Sequence, residues 1–274
     1  MKRRQFIKNS LMLITGAGIV THATAASLDL LARSGIILRF AVASDGHYGQ
    51  AGTNFDADHD EMMDWLRQEH KQQVLSFCMF NGDLIQDDPT LFSSLKKKYD
   101  SLQIPYYVNR GNHDRCDAST WKQAWGHDLD YSFEIAGNAF VVLDTSNISG
   151  EYVCPNVKLA KRKLNAYKRS ENLFVFMHIP PKTWTKNAID CPQLTDLFSK
   201  QKNLRAVFHG HEHDHDGPFI EKGKPYLFDS HIGGNWGTAY RGYRIVEVFE
   251  SGQVLTYQVN PGAGIRVNSN DLNS

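Results

Sequence analysis

Short apolar runs, each closed by a polar turn, recur along most of this chain. Ile36 to Ala43 is the first; it predicts a buried strand and is followed by Ser44-Asp45-Gly46-His47. Asp58 to Lys71 changes to helical spacing, with Met62, Met63 and Leu66 on one face and charges elsewhere. Val74 to Phe80 predicts a second strand, closed by Asn81-Gly82-Asp83. Pro89 followed by Leu91, Phe92, Leu95 and Tyr99 predicts a second helix, with proline at its start. Ile104 to Val108 is a third strand, ending before Arg110-Gly111-Asn112-His113-Asp114. A hairpin is expected from Tyr131 to Ile135 and Ala139 to Leu143, turning around Gly137-Asn138. Pro155 to Arg169 predicts a basic amphipathic helix, Leu173 to Met177 a strand before His178, and Pro192 to Lys200 a helix. Leu204 to Phe208 predicts a strand before His209-Gly210-His211-Glu212-His213. Pro225 to Phe228, Tyr243 to Phe249 and Val254 to Val259 complete a β-rich end.

Composition narrows the class. The chain has 274 residues, 41% hydrophobic and 22% charged, which excludes disordered and fibrous proteins. It shows no internal repeat, linker or low-complexity tract, so residues 26–274 are expected to form one domain with a core over about 36–260. Met1 to Ala25 reads differently. Lys2, Arg3, Arg4 and Lys8 precede a short apolar run, Leu11 to Val20, and Ala23-Thr24-Ala25 supplies small residues for cleavage. This is the pattern of a secretory signal peptide, too short for a stable membrane span. Arg3-Arg4-Gln5-Phe6-Ile7-Lys8 resembles a bacterial twin-arginine signal, which implies the twin-arginine export machinery as a partner and a periplasmic, folded product. Cleavage would leave 26 basic and 30 acidic residues, with no basic stripe for a nucleic-acid polymer. No second apolar segment reaches spanning length, so the mature chain is expected to be soluble. Of the four cysteines, Cys78 lies in an apolar strand and reads as core. An oxidising compartment permits one disulfide among Cys116, Cys154 and Cys191, and sequence does not choose the pair.

The polar residues that close the strands carry the candidate chemistry. Five apolar strands end in Asp45 with His47, Asp83, Asn112 with His113, His178, and His211 with His213. Strands of one α/β sheet place their carboxyl ends on one edge, so these residues are expected to converge on a single sheet edge. The set is rich in oxygen and nitrogen with no thiolate, which suits manganese, iron or zinc. It is too large for one tetrahedral ion and fits two, with the two oxygens of Asp83 available as a bridge.

This ordered set resembles the calcineurin-like metallophosphoesterases, whose five blocks are D-x-H, GD, GNH(D/E), H and GH-x-H. Here they read Asp45-Gly46-His47, Gly82-Asp83, Gly111-Asn112-His113-Asp114, His178 and Gly210-His211-Glu212-His213, over about residues 36 to 250. The resemblance implies mixed sheets in a four-layer α/β/β/α sandwich with a dinuclear metal site at the strand ends. It implies one ion, divalent or trivalent, on Asp45, His47, Asp83 and His213, and a second on Asp83, Asn112, His178 and His211. It further implies hydrolysis of a phosphoester by a metal-bridging hydroxide, with His113 protonating the leaving group and Asp114 orienting the His113 ring. His209 and His215 stand outside the pattern.

Within the family, the run from Gly82 to Asp114 and His178-Ile179-Pro180-Pro181 look like the bacterial cyclic nucleotide phosphodiesterase branch. Gln86 stands where purple acid phosphatases place a tyrosine iron ligand, which disfavours that site. Arg110 replaces a proline common in the branch, and is either a substrate contact or a partner of Asp87 or Asp88. Lys182, Arg241 and Arg244 are further candidate substrate contacts, and Trp184, Trp236 and Tyr240 are candidates for stacking. Gly233 to Gly237 reads as a flexible loop near the site. Export argues against a cytosolic cyclic AMP role. The expected substrate is a small phosphodiester or nucleotide. A phosphomonoesterase, a nucleotide pyrophosphatase and a non-catalytic metal-binding scaffold are the alternatives.

Overall fold

Two six-stranded mixed sheets face each other, and the chain crosses from one to the other and back. The structure is a computed structural model that describes residues 35–273, preceded only by a short antiparallel pair, Met12–Ile14 against Val20–His22. The expected signal peptide, Met1 to Ala25, otherwise lies outside the described residues. Among the described residues no helix is long and apolar enough to cross a membrane.

The first sheet opens with β1 (Ile36–Ala43), β2 (Phe77–Asn81) and β3 (Tyr106–Asn109), all parallel, with α1 (Phe55–Gln72) and α2 (Phe92–Asp100) in the crossovers. α3 (Ala118–Trp125) then leads to the second sheet. There a hairpin, β4 (Tyr131–Ile135) and β5 (Asn138–Val142), is followed by α4 (Val157–Ala166), β6 (Asn172–Phe176), α5 (Pro192–Ser199) and β7 (Leu204–His209). β5, β6 and β7 are parallel. A second hairpin, β8 (Pro218–Glu221) and β9 (Lys224–Phe228), adds to β7. The chain then returns to the first sheet as β10 (Tyr243–Phe249), β11 (Val254–Asn260) and β12 (Ile265–Asp271). The strand orders are β12-β11-β10-β1-β2-β3 and β8-β9-β7-β6-β5-β4.

Alternation along the strands sorts side chains into layers. Phe40, Val42, Phe77 and Met79 face the second sheet and meet Phe140, Phe174, Phe176 and Phe208. Phe40 stacks on Phe77 at 4.8 Å and meets the Phe140 edge at 5.4 Å. Each such side chain contributes roughly 1.5–3 kcal/mol by burial. On the outer face of the first sheet, Ala41, Cys78 and Phe80 pack under Met62, Met63, Leu66, Leu95 and Trp121. On the outer face of the second, Val141, Val175 and Val207 pack under Ala160, Leu164, Leu194 and Phe198. The result is the expected α/β/β/α sandwich.

Three elements went unpredicted. α3 is held by the Asp117 side chain accepting from Thr120 N–H at 2.7 Å and ends at Gly126, with φ 83°. β8 and β12 are short or exposed edge strands without alternation. The hairpin turn is Ala136-Gly137, both at positive φ, and Asn138 belongs to the strand. Cys154 and Cys191 form a disulfide, while Cys78 and Cys116 are free and buried.

Candidate dinuclear metal site

The expected single sheet edge is two edges. Asp45 follows β1, Asp83 follows β2 and Asn112 follows β3 in one sheet; His178 follows β6 and His211 follows β7 in the other. An amide seam joins the sheets beneath them. Asn109 donates to Asn81 Oδ1 at 3.0 Å, and Asn81 donates across the interface to Phe208 O at 3.1 Å.

The loops that present the ligands are tightly wound. Asp45, His47, Asp83 and His211 all have positive φ, between 44° and 72°. Non-glycine residues rarely adopt this conformation, and it clusters at functional sites. Gly111 is required for a different reason. A Cβ there would collide with the Asp83 backbone nitrogen and carboxylate. Only glycine lets the two loops approach closely enough to share a site.

All seven predicted ligands are buried, and the donor atoms of the six acids and histidines converge. The His213 Nε2–Asp45 Oδ1 separation is 3.3 Å, His178 Nε2–Asp83 Oδ2 is 3.1 Å, and His47 Nε2–Asp83 Oδ2 is 3.7 Å. Asp45, His47 and His213 form one group of convergent donor atoms, Asp83, His178 and His211 another, and His47, Asp83 and His113 a third that overlaps the first two. In every imidazole the outer nitrogen faces an oxygen. His47 Nδ1–H donates to Gln86 Oε1 at 2.8 Å and His178 Nδ1–H to Asn81 O at 2.8 Å. His213 Nδ1–H donates to Trp236 O at 3.1 Å, and His211 Nε2–H to Asn187 O at 3.0 Å. These bonds fix the tautomers and leave the inner lone pairs aimed at the cluster, as metal ligands require.

Two buried atoms test whether cations fit. Asn112 Oδ1 has no hydrogen-bond partner, and His178 Nε2 has none besides its 3.1 Å approach to the Asp83 carboxylate. Orphaned buried polar atoms beside two buried carboxylates are costly unless a cation meets them. The residues therefore fit two metal ions. The electrostatics agree. Burial opposes ionisation of Asp45, yet the His213 and His178 imidazoles outweigh it and hold the carboxyl below the usual range. Burial likewise opposes a charged His178, but Asp83 and Asp45 push it up to about 9.

His113 lies beside the cluster, its ring 5.0 Å from that of His47. Its backbone N–H donates to Asp83 Oδ1 at 2.7 Å. Asp114 does not orient it. The Asp114 carboxylate points away and accepts from Gly111 N–H at 2.7 Å, Leu84 N–H at 2.9 Å and Ile85 N–H at 3.1 Å, bracing one ligand loop against another. Asp87 meets the His113 ring instead, with Nδ1–Oδ1 at 2.9 Å. Asp87 is also held by Arg115 at 2.9 Å. A surface acid in a turn gave no sequence signal for this role.

The nominated cations are paired with carboxylates of the protein. Arg110 forms a two-pronged pair with Asp144, at 3.1 and 2.6 Å, and reaches neither Asp87 nor Asp88. Lys182 pairs with Glu221, Arg241 with Asp58 and Glu61, and wholly buried Arg244 with Asp229. Trp184 stacks on Phe219, and the Tyr240 hydroxyl donates to Asp216. Trp236 does border the site. It stacks on His213 at 4.2 Å and remains 45% exposed. Tyr152, 40% exposed and not foreseen, meets the His211 ring at 4.8 Å. His209 is buried against Met177 O, and His215 sits on Asp214, outside the cluster.

A family model for the calcineurin-like phosphoesterases matches residues 38–215, and the chain belongs to that family. It is a metal-dependent phosphoester hydrolase of a family that works with two metals. No curated protein matches the chain by sequence. Among solved structures, a dimetal phosphatase from Danio rerio is similar at 12% identity and a TM-score of 0.68, covering 86% of this chain and 99% of that one. A purple acid phosphatase from yellow lupin (Lupinus luteus) is similar at 12% identity and 0.62, covering 85% and 53%. GAP50, described as the anchor in the inner membrane complex of Plasmodium, is similar at 15% identity and 0.62, covering 86% and 88%. At these identities the likeness concerns the fold, and function is argued from the site.

Proposed function

We propose that this protein hydrolyses a small phosphodiester, with one ion held by Asp45, His47, Asp83 and His213 and a second by Asp83, Asn112, His178 and His211. The observation that carries the reading is His113, less buried than the seven candidate ligands, beside His47 and held through Nδ1 by Asp87. Two bound ions supply an activated nucleophile and neutralise charge on the phosphoryl oxygens. His113 gives its proton to the leaving oxygen, while Asp87 holds the ring by Nδ1 and keeps Nε2 free for that transfer. Asp114 keeps the Asp83 loop in register.

The rim favours a diester over a phosphomonoester or pyrophosphate. Substrates with more charge call for free cations, and Arg110, Lys182, Arg241 and Arg244 are each paired. Exposed Trp236 and Tyr152 offer apolar surface for an ester substituent such as a nucleoside. A role after export, in the periplasm, is the reading that the Cys154–Cys191 disulfide and the twin-arginine-like start support.

His113→Ala is the direct test. With metal saturating, it is expected to slow an alkyl diester by about 100- to 10,000-fold and largely spare a p-nitrophenyl diester, whose leaving group needs no proton. Equal losses would remove His113 from the acid role. Fewer than about 1.5 metals per chain in fully active protein would remove the two-metal reading.

A further inference from the structure

Gln86 sits between the two halves of the machinery. Its Oε1 accepts from His47 Nδ1–H at 2.8 Å. Its Nε2 lies 3.1 Å from Asp87 Oδ2 and 3.0 Å from His113 Nδ1. The orientation of the amide is forced. His47 can offer Nε2 to a metal only if Nδ1 carries the hydrogen, so the Gln86 oxygen must face it. The NH2 group then faces Asp87 and His113. There Gln86 Nε2–H and His113 Nδ1–H converge on the two oxygens of one carboxylate. The backbone holds this short segment at both ends: Gln86 N–H donates to Tyr48 O at 2.9 Å and Asp87 N–H to His113 O at 2.9 Å. A planar amide cannot turn toward one partner without leaving the other.

We propose that Gln86 is a positioning residue that links the metal ligand His47 to the proton donor His113 through Asp87. One side chain thereby sets the tautomer of a ligand and the placement of the acid. The second half rests on the reading of His113 as acid; the first half does not.

The two ends of the amide can be separated in the full-length chain. Gln86→Met removes both hydrogen bonds, whereas Gln86→Glu keeps an oxygen for His47 and removes the donor to Asp87. Calorimetric titration of metal-stripped protein with Mn2+ is expected to show one site weakened by about 10- to 100-fold in Gln86→Met, and restored in Gln86→Glu. At saturating Mn2+, both variants are expected to raise the ratio of p-nitrophenyl to alkyl diester turnover by about tenfold or more. Wild-type Mn2+ affinity in Gln86→Met would overturn the proposal. So would an unchanged ratio in both variants while His113→Ala raises it. If His113→Ala also leaves the ratio unchanged, the acid reading has failed, and the Mn2+ titration alone decides the link to His47.

Discussion

His59 is a buried residue whose chemistry the site does not use. It lies under Gly46 with no exposure, donates from Nδ1 to Phe55 O at 2.7 Å, and leaves Nε2 without a partner. Burial pulls it down to about 4. Between about 4 and 6.5 the unfolded chain therefore binds a proton that the folded chain refuses, so stability is full above 6.5 and falls as pH drops toward 4. The loss is at most about 3 kcal/mol. His59→Leu should flatten this slope, measured as the difference between wild-type and variant urea stabilities at pH 7 and pH 4.5. At this scale the sequence was legible for ligands and opaque for their partners. Asp45 or His178 could be placed because strand ends and family blocks mark them. Asp87, Asp144 and Asn187 act through contacts between loops distant in sequence, which no local pattern encodes. Arg110 misled because its partner, Asp144, lies after a strand of the other sheet.

Strands and helices facing the core were legible because alternation and 3.6-residue spacing follow directly from burial. α3 could have been found from Asp117, its capping residue, and Gly126 at its end. The edge strands β8 and β12 bury too little for a pattern to form. The sheet assignment of the ligand strands was misread, since alternation tells which face is buried but not which sheet a strand joins. The loops between elements are where small changes have large effects. Gly111→Ala places a methyl group against Asp83 backbone atoms that cannot yield. It is expected to cost about 1–3 kcal/mol and to reduce metal content, read by elemental analysis together with thermal unfolding.

For the whole molecule, the candidate metal site belongs to neither sheet. Four candidate ligands hang from the first sheet and three from the second, so ions held there would tie the sheets together above their aromatic filling. Chelation is expected to lower the melting temperature. Restoring an ion to 100 times its dissociation constant should return about 2.7 kcal/mol. Asp83 and Asp45 favour a proton on His178, and a metal needs its neutral ring, so loading is expected to compete with protons there. Calorimetric loading in buffers of different ionisation enthalpy should detect the release; buffer-independent heats would contradict it. The return of the chain to its first sheet has a consequence in time. β1 runs antiparallel to β10, so residues 36–42 wait for residues 244–249 before their sheet is filled on that side. Pairing across so much chain is slow to nucleate, and it cannot begin until residues 244–249 have left the ribosome. β1, which leads into the Asp45 loop, thus gains its second sheet neighbour only after every candidate ligand has been made. A chain halted before β10 would carry every candidate ligand and still leave β1 an open edge on one side.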